Sequence, residues 1–258
     1  MSYETIIVEK NDQVATVTLN LPEKLNALDL VMREELKVVF WEFAKARDVK
    51  SVIVTGAGRA FCAGGDISTM QTVTAPAGRD RLKNVQQLVR AMTGLEKPVI
   101  AAVNGPAVGA GFNIALACDL ILASDKAKFS QSFAKIGLIP DMGGFYFLPL
   151  RVGVHQAKEL MMTGRMIEAQ EAFAIGLVNR VVPHENLMDA ARETALGLAR
   201  GASRAQAMIK AALNRWPASL EEILEIEANM QAVCFETHDF KEGLQAFLEK
   251  RPPEFTGE

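Results

Sequence analysis

Between Lys97 and Asp119 run 21 residues, Pro98 to Cys118, without a formal charge. A stretch this long and apolar either crosses a bilayer or is covered on all sides by its own chain. It contains Pro98, Pro106, Asn104, Asn113, Gly105, Gly109 and Gly111. Two prolines, two amides and three glycines break helix continuity and leave polar groups that hydrocarbon cannot satisfy. The segment therefore reads as a buried strand, a turn and a buried helix, with no membrane span. The rest of the chain has to supply the cover. It has the material: 258 residues, 49% hydrophobic and 23% charged, is the balance of a globular rather than a disordered chain.

Other segments repeat the pattern. Ser51–Thr55, Val99–Val103 and Leu120–Ala123 are short apolar runs, each bounded by a turn or a helical stretch. Such strands belong to sheets covered on both faces. Thr5–Val8 and Val14–Leu19 form a hairpin around the turn pair Asn11-Asp12. Asp29 caps a helix from Leu30 to about Arg47, with Val31, Leu36, Val39, Phe40 and Phe43 on its buried face. From Val154 the chain turns mostly helical, near 154–163, 168–174, 184–200, 203–214, 219–234 and 237–249, with one strand at Val178–Val182. The fold class is α/β, and no linker marks an independent second domain. The apolar tail residues Leu220, Ile223, Leu224, Ile226, Met230 and Val233 point to contact with another subunit.

Charge and rare residues narrow the chemistry. A net charge of −3 gives no general attraction to nucleic acid or to an anionic membrane. Cys62, Cys118 and Cys234 are odd in number and far apart, as in a reducing cytoplasm. The opening MSYETIIVEK lacks the basic start of a secretory leader. His155 with Glu159 lacks a third ligand, and His184-Glu185 sits in a loop, so no metal site is expected. No GxSxG, Walker, HExxH or EF-hand pattern occurs. What remains is carboxylates, hydroxyls and backbone dipoles.

Two glycine-rich turns stand out. Arg59–Asp66 (RAFCAGGD) follows a buried strand, and Gly109-Ala110-Gly111 opens a helix. Each can aim one free N–H at one oxygen, the arrangement of an oxyanion hole, or can serve tight packing alone. A dinucleotide fingerprint is discounted, because Gly109-x-Gly111-x-x-Ile114 lacks the third glycine. Between Lys135 and Arg151 the only formal charge is Asp141. Either it caps a turn in water, or its apolar company raises its pKa into the range useful for proton transfer. Asp66 and Asp119 read as structural caps. Lys24, Arg59 and the pair Lys250-Arg251 are candidates for phosphate contacts.

PEKLNAL, GAGRAFCAGGD, KPVIAAVNGPAVGAGFNIALACD, FSQSFAKIGLIPDMGG and FKEGLQAFLEKRPPEF together resemble the enoyl-CoA hydratase/isomerase (crotonase) superfamily, in order and over nearly the whole chain. The resemblance implies a spiral of ββα units over residues 1–195 and a C-terminal helical region over 196–258. It further implies assembly as a homotrimer or dimer of trimers, and a coenzyme A thioester substrate. No metal or redox cofactor is implied, coenzyme A being part of the substrate. By position, the two oxyanion N–H groups belong to Gly65 and Ala110. Lys24, Leu25, Ala63, Asp66 and Ile67 match the coenzyme-binding region, and Phe247 and Lys250 match late contacts to the nucleotide end.

The departures carry more information. Hydratases of this superfamily place two glutamates around the substrate double bond, and here those positions hold Asn113 and Phe133. Neither side chain transfers protons. Asp141 stands where Δ3,Δ2-enoyl-CoA isomerases carry an acid, and its surroundings particularly resemble the isomerases of phenylacetate degradation. The resulting expectation is a double-bond shift with Asp141 as acid and base, and Asn113 orienting the substrate or Asp141. Hydration of 2-enoyl-CoA, a ring-expanding isomerisation of an epoxy aromatic thioester and a non-catalytic acyl-CoA-binding subunit are the alternatives. Arg79, Asp80, Arg81 and the preceding TVTAPAG tract are expected to form a loop near the acyl pocket.

Overall fold

Alternate residues of the central strands enter two different cores. In the computed structural model, which describes residues 3–215 and 217–258, the larger sheet has the order β1-β2-β3-β4-β6-β9. Its strands are β1 (Ile6–Asn11), β2 (Val14–Leu19), β3 (Ser51–Gly56), β4 (Val99–Val103), β6 (Leu120–Ser124) and β9 (Arg180–Val182). The β1–β2 pair is antiparallel and every later pair parallel. Val52, Val54, Val99, Ala101, Val103, Ile121 and Ala123 face the main core, whereas Ile53, Ile100, Ala102 and Leu122 face a second one. The second core is closed by Leu187, Ala190, Ala191 and Ala195 of helix α6 (Leu187–Ala199). The uncharged strands are therefore covered on both faces, each large apolar side chain contributing about 1.5–3 kcal/mol by burial.

A smaller sheet, β5 (Pro106–Val108), β7 (Lys128–Ser130) and β8 (Ile167–Glu168), escaped the sequence reading because its strands are two or three residues long. The 98–118 segment is β4, then β5, then helix α3 (Ala110–Ala117), all of whose residues are buried. Among the described residues no helix is long and apolar enough to cross a membrane.

Several expectations shift. The hairpin turn is Asp12-Gln13, at φ 51° and 67°, because Asn11 stays in the ladder opposite Val14. Two central residues at positive φ make the turn that matches strand twist. Helix α1 (Leu30–Lys45) starts at Asp29 as expected, the Asp29 carboxylate accepting from the Met32 N–H at 2.8 Å. Its stripe runs through Met32 rather than Val31, which is exposed. The tract expected as a loop around Arg79 is helix α2 (Ala75–Thr93), capped by Thr74 with Pro76 in the first turn. Only Val85, Leu88 and Met92 of α2 are buried, so its first half carries no apolar periodicity to detect.

Helix α4 (Gly144–Thr163) begins ten residues before the expected start, with Pro149 inside it and a kink at Gly153. After α5 (Ala169–Ala174) and α6 come the C-terminal helices α7 (Ser203–Leu213), α8 (Leu220–Glu236) and α9 (His238–Glu249). Lys210 anchors α7 to the sheet. Its Nζ donates to Asp119 at 2.8 Å, the Lys97 carbonyl at 3.1 Å and the Met92 carbonyl at 3.3 Å. Asp119 also accepts from the Val99 N–H at 2.7 Å, a structural role.

Candidate active site

The two glycine turns meet across a short run of strand-like bonds. The Cys62 N–H donates to the Pro106 carbonyl and the Val108 N–H to the Cys62 carbonyl, at 3.1 and 2.9 Å. On the other side the Ala63 N–H bonds to the Leu25 carbonyl and the Leu28 N–H to the Gly64 carbonyl, at 2.9 and 2.8 Å. Residues 62–66 are thus held between the 25–28 loop and β5. Asn26, fully buried, fastens the turn by donating to the Ala57 and Ala60 carbonyls and accepting from the Leu21 N–H. Gly64 has φ +104°, and a Cβ there would lie 2.9 Å from the Val108 carbonyl oxygen. Gly109, the N-cap of α3, has φ 54° and ψ −120°. Only glycine adopts both conformations without strain. They leave the N–H groups of Gly65 and Ala110 outside the backbone ladder, and both residues line one cavity.

That inner cavity, of about 90 Å³, is also lined by Arg33, Ala63, Ile67, Phe133 and Asp141. It adjoins a larger one of about 720 Å³, walled by Leu82, Val85, Ile136, Leu138, Ile139 and Phe145. Asp141 faces both, and among the lining residues it is the single acid. The chain places it by its backbone. The Asp141 carbonyl accepts from Asn113 Nδ2 at 2.9 Å and from the Gly144 N–H at 2.8 Å. Asn113 Oδ1 is occupied in turn by Gln131 Nε2 at 2.7 Å.

The carboxylate itself caps nothing, since Gly143 is the N-cap of α4 and makes no side-chain cap bond. Asp141 Oδ1 is buried without a hydrogen-bond partner. Burial pushes the Asp141 pKa from 3.8 up to about 6, against the opposing pull of the Arg33 guanidinium. Of the two readings left open by the sequence, the environment is that of the poised acid. Cys62, next to the turn, is buried and its thiol is pushed up to about 12, so no thiolate is at hand.

Of the residues singled out from the sequence, Gly65, Ala110, Ala63, Ile67, Phe133 and Asp141 come together. Asn113 does not line the cavity. It is wholly buried behind Asp141, and of its two expected roles the geometry leaves the positioning of Asp141. Asp66 turns away to accept from the N–H and hydroxyl of Ser68. Lys24 is exposed and Leu25 half-buried, both outside the cavity wall, although the Leu25 carbonyl braces Ala63. Phe247 and Lys250 are exposed at the end of α9 and line neither cavity. The sequence reading missed Arg33. The signal was its place on the flank of the α1 stripe, one turn before Lys37 and two turns before Phe40, which are buried with it.

The match to known proteins follows this geometry. The sequence model of the enoyl-CoA hydratase/isomerase family matches residues 9–258. The chain belongs to the enoyl-CoA hydratase/isomerase family. It is 40% identical over the full length of both chains to a probable enoyl-CoA hydratase of Rhodobacter capsulatus. It is 38% identical to the 1,2-epoxyphenylacetyl-CoA isomerase of Escherichia coli, covering 98% of this chain and 99% of that one. Among solved structures, an enoyl-CoA hydratase from Bacillus anthracis superposes with TM-score 0.94 at 36% identity, over 99% of this chain and 100% of that chain. The crotonase fold and the acyl-CoA enzyme class expected from the motifs both stand. Among the described residues, no three His, Cys, Asp or Glu side chains gather to hold a metal ion.

Proposed function

We propose that this family member is an enoyl-CoA isomerase that shifts a double bond from the Δ3 to the Δ2 position, with Asp141 as its acid and base. One observation carries the reading: a single acid, with its pKa raised to about 6, shares a small cavity with two free N–H groups. The thioester oxygen accepts from the Gly65 and Ala110 N–H groups, which stabilise the negative charge that develops there. Asp141 removes a proton from C2, giving a dienolate. The same carboxyl returns the proton at C4, and the double bond ends in conjugation with the thioester. A base with a pKa near the working pH both accepts and releases the proton readily.

Asn113 holds the Asp141 main chain and takes no proton. Phe133, Ile67 and Val85 supply apolar wall beside the two N–H groups, which lowers the local dielectric and strengthens those contacts. The reaction uses no metal or redox cofactor, and coenzyme A enters as part of the substrate. Exposed apolar side chains on α7 and α8, among them Ile209, Leu213, Leu220 and Leu224, support assembly as a homotrimer or dimer of trimers.

The names of several relatives favour a second reading, hydration of 2-enoyl-CoA. It would require one carboxyl both to activate water and to protonate C2. Incubation with 3-enoyl- and 2-enoyl-CoA thioesters, with products identified by mass and NMR, separates the two. Conjugated enoyl product from the first substrate at a rate well above water addition to the second is the expected result. Dominant 3-hydroxyacyl product from the second would give the assignment to hydration.

A further inference from the structure

Arg33 is a buried cation that bracing the chain alone does not require. It is 5% exposed, lines the inner cavity with Gly65 and Asp141, and its Nη2 would lie 3.5 Å from a Cβ on Gly65. Nη2 donates to the Leu28 carbonyl at 2.8 Å, a bond that a neutral amide would make as well, and Nε is buried without a hydrogen-bond partner. Asp141, Asp29 and Asp66 act on the guanidinium through space, none of them forming an ion pair with it within 4.0 Å. The charged groups that act on Asp141 in turn are Arg33 from α1 and Arg81 from α2, and Arg81 donates to the Asp66 carbonyl at 3.4 Å. Neither α3 nor the first turn of α4 brings a charge.

A buried charge is costly, and a contact ion pair would offset that cost and quench the field beyond it. Arg33 has no such contact, so its field reaches into the cavity, where Phe133 and Val85 lower the local dielectric. On the reading proposed above, proton transfer moves the negative charge from Asp141 to the oxygen held by the Gly65 N–H. The guanidinium is within contact range of Gly65 and outside ion-pair range of Asp141, so the transfer brings that charge toward it. An interaction that grows along the reaction in this way favours the transition state over the bound substrate. We propose that the buried Arg33 guanidinium beside Gly65 supplies, through space, a third element of enolate stabilisation alongside the Gly65 and Ala110 N–H groups. The proposal rests on the reading of those two N–H groups as the oxyanion site and adds a fixed positive charge to it.

The test uses acetoacetyl-CoA, whose C2 proton ionises between two carbonyls and whose enolate absorbs in the near ultraviolet where the keto form does not. It has no double bond to move, so the outcome does not depend on whether the enzyme isomerises. Full-length Asp141→Asn is the starting protein, which leaves the bound thioester as the acid being titrated. Bound there, acetoacetyl-CoA is expected to ionise about one pH unit or more below its value in free solution, and adding Arg33→Gln should raise the bound value by about one unit or more, as loss of a nearby opposite charge does. Glutamine keeps a donor for the Leu28 carbonyl, so a merely structural arginine would leave this titration unmoved. Arg33→Lys should retain most of the lowering. The same ionisation with arginine and with glutamine at position 33 overturns the proposal alone. So does a folded Arg33→Lys protein that loses the effect as completely as Arg33→Gln. No lowering with Arg33 intact overturns the proposal together with the oxyanion reading, whether or not the Arg33 variants fold. Failure to bind acetoacetyl-CoA overturns it together with the coenzyme A reading.

Discussion

Replacing Asp141 with asparagine is expected to make the protein more stable at pH 8 while removing the proposed acid–base group. In the unfolded chain the carboxyl ionises near 3.8, and in the folded chain near 6, chiefly because burial penalises the charged form. A carboxyl whose pKa rises on folding favours the protonated state. It costs nothing below 3.8, costs progressively more as pH rises to 6, and carries its full penalty above that. The two values differ by about two pH units, and at about 1.4 kcal/mol for each the penalty is about 3 kcal/mol. Asparagine has the same shape and no charge, so most of that cost should disappear, leaving a gain of about 2–3 kcal/mol at pH 8. At pH 4 the gain should be close to zero. Urea denaturation of both proteins at pH 4 and pH 8, at one fixed protein concentration, reads the difference directly. A variant no more stable than wild type at pH 8, or one whose advantage is the same at both pH values, would refute the reasoning. In either case the Asp141 carboxyl would not be the desolvated group described above.

The same shift sets the pH profile of catalysis: isomerisation kcat/KM should fall below an apparent pKa of about 6, as protonation removes the base, and stay flat from pH 7 to 9. Asn113→Ala frees the Asp141 carbonyl from the 2.9 Å bond; kcat should drop about 10–100-fold with KM little changed, and the apparent pKa of the profile should move. Gly109→Ala forces a side chain into φ 54°, ψ −120°; turnover should fall about 10²-fold through misplacement of the Ala110 N–H, read by steady-state kinetics alongside circular dichroism. Lys210→Met strips Asp119 of its buried cation; breaking such a pair costs about 3–5 kcal/mol, which a lowered urea midpoint would show.

The parts of this molecule that can be read in its sequence are those in which one local rule acts alone. The apolar strands at 51–55, 99–103 and 120–123, the Asp29 cap and the two glycine turns each follow from a few adjacent residues. Asp141 was visible as the lone charge in an apolar stretch, and its desolvation is what that isolation implied. What the sequence hid depends on distant partners. Asn26 looks like one more turn residue until the Ala57 and Ala60 carbonyls are seen to converge on it. Asn113 and Gln131, 18 residues apart, form one chain of bonds that ends at the Asp141 main chain. Arg33 has the composition of a surface residue and the position of a buried one, and only the flank of the α1 stripe betrays it. The strands β5, β7 and β8 are too short for any periodicity.

The central claim is that one carboxyl carries the proton between C2 and C4. Turnover of a 3-enoyl-CoA by Asp141→Asn, followed by the absorbance of the conjugated product, tests it most directly. A fall of at least about 10²–10⁴-fold, the usual yield of a positioned acid–base group, in a protein that still folds and binds the thioester, is the result expected. Turnover within tenfold of wild type would contradict it.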